Sequence, residues 1–235
     1  MDYLVFDLET ELQRGPLNLD HHIPGITIAA TLTSDGISEL WYEQDPEGRP
    51  RGGALSQTIA SGLVSFLLDA AQTGRPIVTW NGSGFDFRVL AHASGRMDDC
   101  VDLAWTHIDL MFWLHCIKGF SVGLAKAAEA AGSGKTPGIS GADAPRLWAA
   151  GEYELVKAYV TQDVRALAAV YEAAVQAGEL RWINSARSIS AAPGRLLAVQ
   201  EACKLPLPDT SWMRRRSWPR EKFVGWMSTW RGQHR

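Results

Sequence analysis

The sequence predicts an α/β domain: a mixed sheet, made of a three-strand antiparallel meander plus parallel strands, flanked by helices and followed by a mostly helical, basic C-terminal extension. Three observations predict it. The chain opens with three strand-like runs separated by turn residues. Short apolar runs then alternate with longer stretches whose apolar residues recur every three or four positions. Finally, the charge changes sign: residues 1–179 hold 12 Lys/Arg against 23 Asp/Glu, a balance of −11, and residues 180–235 hold 11 against 3, a balance of +8. We therefore expect a first domain over 1–178 and an extension over 179–235.

A composition of 46% hydrophobic and 21% charged residues in 235 is enough to build a core. No apolar run approaches the roughly 20 residues of a membrane span. Asp2 and Asp7 stand where a signal peptide would carry basic charge. The expectation is a cytoplasmic protein with no membrane partner. Cys100, Cys116 and Cys203 are odd in number and widely spaced, which argues against a disulfide framework or a zinc site and for buried thiols.

The first strand, Tyr3 to Thr10, is predicted by its apolar pattern and has a chemical consequence. Alternation places Asp7 and Glu9 on one face with Tyr3 and Val5, while Leu4, Phe6 and Leu8 fill the other. Like charges side by side on a largely buried strand are costly to desolvate unless a cation neutralises them, so the arrangement asks for a metal. The alternative is a strand ending at Phe6 with both acids solvated.

After a turn-rich segment from Gln13 to Pro24 come strands Ile26 to Thr33 and Ile37 to Tyr42, joined by the hairpin signal Ser34-Asp35-Gly36. The adjacent His21 and His22 read as loop residues. Glu43 to Gly53 is a polar connection. Leu55 to Ala71 carries Ile59, Leu63, Phe66, Leu67 and Ala70 at helical spacing, and Gly74-Arg75-Pro76 ends that helix. Strand Pro76 to Trp80 then runs into Asn81-Gly82-Ser83-Gly84-Phe85-Asp86, a glycine turn opening a helix that begins near Phe85 and places Asp86 in its first turn. The segment lacks the third glycine and the later acid of a dinucleotide fingerprint.

Residues 99–118 suggest a further strand and helix around His107-Ile108-Asp109-Leu110, with Asp109 either an additional acid or the cap of that helix. Ser121 to Ala131 reads as a helix capped by Ser121. Gly132 to Gly141 reads as a loop, since Glu129 stands where a phosphate-binding loop needs its first glycine. The last long helix, Glu152 to Gln176, has Leu155, Val156, Tyr159, Val160, Leu167, Val170 and Tyr171 on one stripe, interrupted by Asp163. Tyr159 and Asp163, four apart, are neighbours on that face. Asp163 is then either half of a functional pair or an ion-pair partner of Arg165, Lys157 or another element.

Three short signatures occur in order: Phe6-Asp7-Leu8-Glu9-Thr10, Asn81 to Asp86, and Tyr159-Val160-Thr161-Gln162-Asp163. Together, over roughly residues 1–175, they resemble the DEDD superfamily of 3′–5′ exonucleases, which share the ribonuclease H-like fold. One branch of that superfamily has a histidine five residues before the last acid, where this chain has Ala158. The other has a tyrosine four before it, where this chain has Tyr159. The chain is thus similar to the tyrosine branch, which includes the proofreading exonuclease domains of DNA polymerases. Gly141 to Trp148 also resembles stand-alone bacterial members.

The resemblance implies a ribonuclease H-like sheet carrying a 3′–5′ exonuclease. Asp7, Glu9, Asp86 and Asp163 would hold two divalent cations, Mg²⁺ or Mn²⁺, about 3.5–4 Å apart. Tyr159 would orient the attacking hydroxide, and Thr10, Asn81 and Phe85 would contact the terminal nucleotide. The implied substrate is the 3′ end of single-stranded or frayed DNA, with a replication or repair protein as a further partner. The alternatives are an RNA-processing exonuclease, or a nucleic-acid-binding or polymerase-associated module with an idle site.

The extension interleaves Trp182, Trp212, Trp218, Trp226 and Trp230 with Arg181, Arg187, Arg195, Arg214 to Arg216, Arg220 and Arg231. Aromatics stack on bases and arginines meet phosphates, so this composition suits single-stranded nucleic acid. The competing expectation is that the tryptophans pack a subdomain. Gly194 to Lys204 and Pro219 to Trp230 read as short helices, the second with Phe223, Trp226, Met227 and Trp230 on one face.

Overall fold

The computed structural model describes residues 2–13, 15, 18–134 and 141–233, with side chains described through residue 229. Parts of the turn-rich segment after Gln13, most of the loop expected from Gly132 to Gly141, and the side chains of Trp230 and Arg231 lie outside the described residues. Strand β1 (Leu4–Thr10), β2 (Ile26–Thr33) and β3 (Ser38–Trp41) form the expected antiparallel meander, with Phe6 opposite Thr31 and Ala30 opposite Leu40. Helix α1 (Gln57–Gln72) follows; the hydroxyl of Ser56 caps it by accepting from the Ile59 amide. Strand β4 (Ile77–Thr79) leads to helices α2 (Asp86–Ser94) and α3 (Met97–Thr106). Strand β5 (Ile108–Asp109) then pairs parallel to β4, with Thr79 opposite Asp109. The mixed five-strand sheet has the order β3-β2-β1-β4-β5 and is flanked by helices.

Helices α4 (Leu110–Lys118), α5 (Leu124–Ala130) and α6 (Ala144–Ala149) precede the long α7 (Tyr153–Ala177). Beyond it, the extension begins with a β-hairpin, β6 (Glu179–Ile183) and β7 (Ile189–Pro193), and continues with the short α8 (Val199–Ala202) and with α9 (Glu221–Gln233). Helix α9 falls where periodicity placed it, α8 occupies only Val199–Ala202 of the stretch expected to be helical from Gly194 to Lys204, and the hairpin is an addition. Among the described residues no helix is long and apolar enough to cross a membrane.

The chain forms two compact units that do not follow chain order. The first comprises Met1–Ile77, Val89–Cys100 and Thr136–Arg165. Its core is built on β1, where Leu4, Val5 and Phe6 are wholly buried, and on Ile26, Ile28, Leu63 and Leu67. Trp41 on β3 meets Phe66 on α1 with ring centroids 5.5 Å apart, and α6 packs against β1. Arg96 joins α1 to the start of α3, donating to Ser61 O at 3.1 Å, to Ser65 Oγ at 2.6 Å and to Asp99 at 2.7 Å.

The second unit comprises Val78–Arg88, Val101–Lys135 and Ala166–Arg235. Phe112, Trp113 and Leu114 of α4 are at its centre, and Gly119, in the left-handed conformation that favours glycine, closes α4. Phe223 of α9 packs on Phe112 and His115, with centroids 5.5 and 4.8 Å away. Arg220 ties the extension down by donating to four carbonyls: Cys203, Leu205, Cys116 and Pro206.

Four expectations change. Ser121 caps no helix: α5 starts at Leu124 behind Gly123, and the Ser121 hydroxyl lies 3.5 Å from His115 Nδ1. The stretch before His107 is helical, as α3. Leu155, placed on the buried stripe of α7, is exposed, and Val156 takes the inward position. Cys100 and Cys116 are buried thiols, pushed up to about 12 chiefly by burial, but Cys203 is only partly covered.

Candidate active site

Strand β1 does not stop at Phe6. It continues to Thr10, with Asp7 opposite Ala30 and Glu9 opposite Ile28, and the register shifts between Glu9 and Thr10. Both acids therefore remain on one face, and Glu9 is only 8% exposed. Thr27 on β2 donates to the Glu9 carbonyl at 3.2 Å, fixing the backbone beside the shift. Thr10 is buried as well.

The inward stripe of α7 runs Val156, Tyr159, Val160, Asp163, Val164 and Leu167, all buried. Asp7, Glu9 and Asp163 each present a carboxylate oxygen, and these oxygens lie within 4.8 Å of one another. Arg165 is exposed, and Lys157 stands 2.9 Å from Glu154. Two unit charges about 4 Å apart repel by roughly 4 kcal/mol at the effective dielectric of a protein surface. An all-oxygen donor set of this kind fits a hard divalent cation such as Mg²⁺ or Mn²⁺, and fits zinc poorly.

Tyr159 belongs to the same cluster. Its phenol is hydrogen-bonded to Asp163, and it titrates far above the ordinary tyrosine range, because it is buried and because Asp163, Glu9 and Asp7 all disfavour another negative charge nearby. The phenol is accordingly protonated, and a donor, at neutral pH.

Asp86 opens α2 in the second unit and is 2% exposed. The turn that delivers it is held unusually well. Asn81 has φ +75, a left-handed conformation that asparagine tolerates better than most residues. The Asn81 amide donates to Asp109 Oδ1 at 2.9 Å, and the Ser83 amide and hydroxyl donate to Oδ2 at 3.0 and 2.7 Å. Asp109 Oδ1 also caps α4 through the Phe112 amide at 3.0 Å. Gly82 is required, since a Cβ there would stand 2.3 Å from Thr79 Oγ1. Trp226 of α9 donates to the Ser83 carbonyl at 2.7 Å. The side chains of Asn81 and Phe85 are half-buried.

Asp109 and Trp226 were not legible as holders of this turn. The cap position of Asp109 was readable from the apolar helix after it, but contacts 26 and 28 residues back in the chain leave no local pattern.

A mixed sheet whose first strand joins a late helix in gathering carboxylates defines an α/β protein with an acidic, cation-competent site. The RNase H superfamily model matches residues 4–175, and the chain belongs to that superfamily. Among solved structures it is similar to the family B DNA polymerase from the hyperthermophilic archaeon Pyrobaculum calidifontis, with 21% identity and a TM-score of 0.54 over 74% of this chain. It spans 24% of that polymerase, and the likeness is one of fold. A 3′-exonuclease that recognises the 3′ end of a histone mRNA stem-loop aligns over 84% of this chain and 95% of its own, at 9% identity and a TM-score of 0.44. No curated protein matches the chain.

Proposed function

We propose that the protein is a metal-dependent 3′–5′ exonuclease of the tyrosine branch of the DEDD superfamily, hydrolysing phosphodiester bonds at the 3′ ends of single-stranded or frayed DNA. The observation that carries the reading is the gathering of Asp7, Glu9 and Asp163, with the Tyr159 phenol among them. In this reading these three carboxylates, with Asp86, would hold two divalent cations, Mg²⁺ or Mn²⁺. When bound, such a pair acidifies a water and offsets charge on the leaving oxygen. Tyr159 keeps its proton and would orient the water or hydroxide, its O–H turning to it from Asp163 once cations meet the carboxylate charge. Thr10, Asn81 and Phe85 contact the terminal nucleotide. Residues 1–178 form the exonuclease domain and 179–235 an extension, an organisation supported by the change in charge between them.

The test is to incubate the protein with 3′- and 5′-labelled DNA and RNA oligonucleotides in Mg²⁺, Mn²⁺ or EDTA. Stepwise release of nucleotides from the 3′ end of DNA is expected with either metal and not with EDTA. Cleavage that persists in EDTA, or release from the 5′ end, would overturn the assignment, and a preference for the RNA arm would move the substrate to RNA.

A further inference from the structure

The extension's basic and aromatic residues separate into two groups in the structure. Arg220 is consumed by four carbonyls, while Phe223, Val224 and Met227 are buried in the second unit. Trp212, Arg214 and Arg215, by contrast, line a cavity of about 510 Å³ together with Phe120, Lys126 and Trp182. Phe120 stands edge-on to Trp182 and to Trp212, with centroids 5.8 and 6.0 Å away. Three cations line the cavity, and no carboxylate is among its lining residues.

Trp212 is the informative member. It is 65% exposed, yet its indole N–H donates to the Asp209 carbonyl at 3.0 Å, so the ring is oriented although little packs on it. An exposed, pre-oriented indole beside guanidinium and ammonium groups offers a π face for a base and charge for the adjoining phosphates. The volume falls within the range of pockets that hold small ligands.

We propose that this cavity is a second binding site for single-stranded nucleic acid, one that shares no residue with the carboxylate cluster. Trp212, with Phe120 and Trp182 behind it, stacks on a base, while Lys126, Arg214 and Arg215 bind phosphates. The proposal rests on the nucleic-acid reading above but not on hydrolysis. π faces and phosphates are common to DNA and RNA, so both strands are bound.

The experiment measures anisotropy of fluorescein-labelled oligothymidylate and oligouridylate with the full chain in EDTA, across a salt series. Trp212→Ala should weaken binding about 5-fold or more in both arms, and Trp212→Phe, which keeps a ring, should recover most of it. Arg214→Ala with Arg215→Ala should weaken binding and reduce the slope of log affinity against log salt by about 1.4, the value for two phosphate contacts on a single strand. All three positions are exposed, so the variants should melt as wild type does. Wild-type affinity and slope in these variants, or no strand binding by the wild-type protein, would overturn the proposal. If strands bind through these residues but no nucleotide is released with Mg²⁺ or Mn²⁺, the exonuclease reading fails and this site stands. If cleavage occurs while the variants bind normally, the site fails and the exonuclease reading stands.

Discussion

Carboxylates are buried in two contrasting ways in this protein. Asp109, 1% exposed, accepts from the amides of Asn81, Ser83 and Phe112 and from the Ser83 hydroxyl. Its charge is met by the chain itself, and it joins a turn, a strand end and a helix start. Asp7, Glu9 and Asp163 are also drawn into the protein, but each has two more carboxylates as close neighbours. Burial alone therefore does not distinguish an acid held by donors from one gathered with other acids. The neighbours do: amides and a hydroxyl surround Asp109, whereas in the cluster each carboxylate has two others beside it, a repulsion that an added cation would relieve.

The largest expected effect tests the cluster. Asp163→Asn removes one charge at almost constant shape. Losing a cation ligand costs several kcal/mol of transition-state stabilisation, so turnover on a 3′-labelled strand should fall by at least about a hundredfold. Without metal, the same variant should be no less stable than wild type in a thermal melt, because a repulsion has been relieved. An active variant, or one that unfolds, would place Asp163 with Asp109 as a structural acid.

Asp109→Ala should behave in the opposite way. It strips the cap from α4 and leaves the buried Ser83 amide and the part-buried Asn81 amide unmet. Helix-cap loss costs about 1 kcal/mol and each unmet buried donor roughly 1–3 kcal/mol, so a loss of at least about 3 kcal/mol is expected in urea unfolding. Asp109→Asn, which still accepts, should lose less. Stability unchanged in the alanine variant would erase the contrast between the two settings.

A smaller effect is expected at Tyr159. Tyr159→Phe removes one hydrogen-bond donor and leaves the carboxylates in place. The rate should fall roughly tenfold, consistent with the loss of one hydrogen bond to a charged group. Thermal stabilisation by Mg²⁺ or Mn²⁺ should remain. Loss of that stabilisation would make Tyr159 part of cation binding and not of orientation alone.

Much of this arrangement was legible because it is periodic. Alternation along Tyr3 to Thr10 put Asp7 and Glu9 on one face, and spacing along α7 put Tyr159 and Asp163 on another, so both halves of the cluster could be read before they were seen together. That they meet could be anticipated only through resemblance, since no local pattern records which helix packs on which strand. The hairpin of the extension did have a signal. Leu180 and Trp182 are buried around the exposed Arg181, which is a two-residue alternation, and Asn184 supplies the turn through bonds to Ala186 and Ser188. Helix α3 was missed because its buried Cys100, Val101, Leu103 and Ala104 occupy barely one turn and a half, too short a run to separate helix from strand by periodicity.

The smallest expected effect is a pH dependence in the Asp109 region. Gly82 N–H donates to Thr79 Oγ1 at 3.1 Å, and that hydroxyl lies 3.0 Å from His107 Nε2. His107 Nδ1 lies 2.9 Å from the Ala104 carbonyl, which can only accept, so the proton is on Nδ1 and Nε2 accepts from Thr79. Protonating Nε2 would reverse the Thr79 bond beneath the turn. Burial holds the His107 pKa below its ordinary value, against the pull of the Asp109 charge. With the folded pKa depressed, the unfolded chain binds the proton first as pH falls below about 6.5. Stability is then fully present above that pH and is lost as pH drops toward the folded value, by at most about 1.4 kcal/mol per pH unit from this group. His115 is shifted in the same direction, again chiefly by burial, and adds to the slope. Urea unfolding at pH 7 and pH 5 should therefore show a steeper loss for wild type than for His107→Asn. Equal slopes would mean that His107 does not couple protons to the turn, leaving the Asp109 clamp insensitive to pH through this residue.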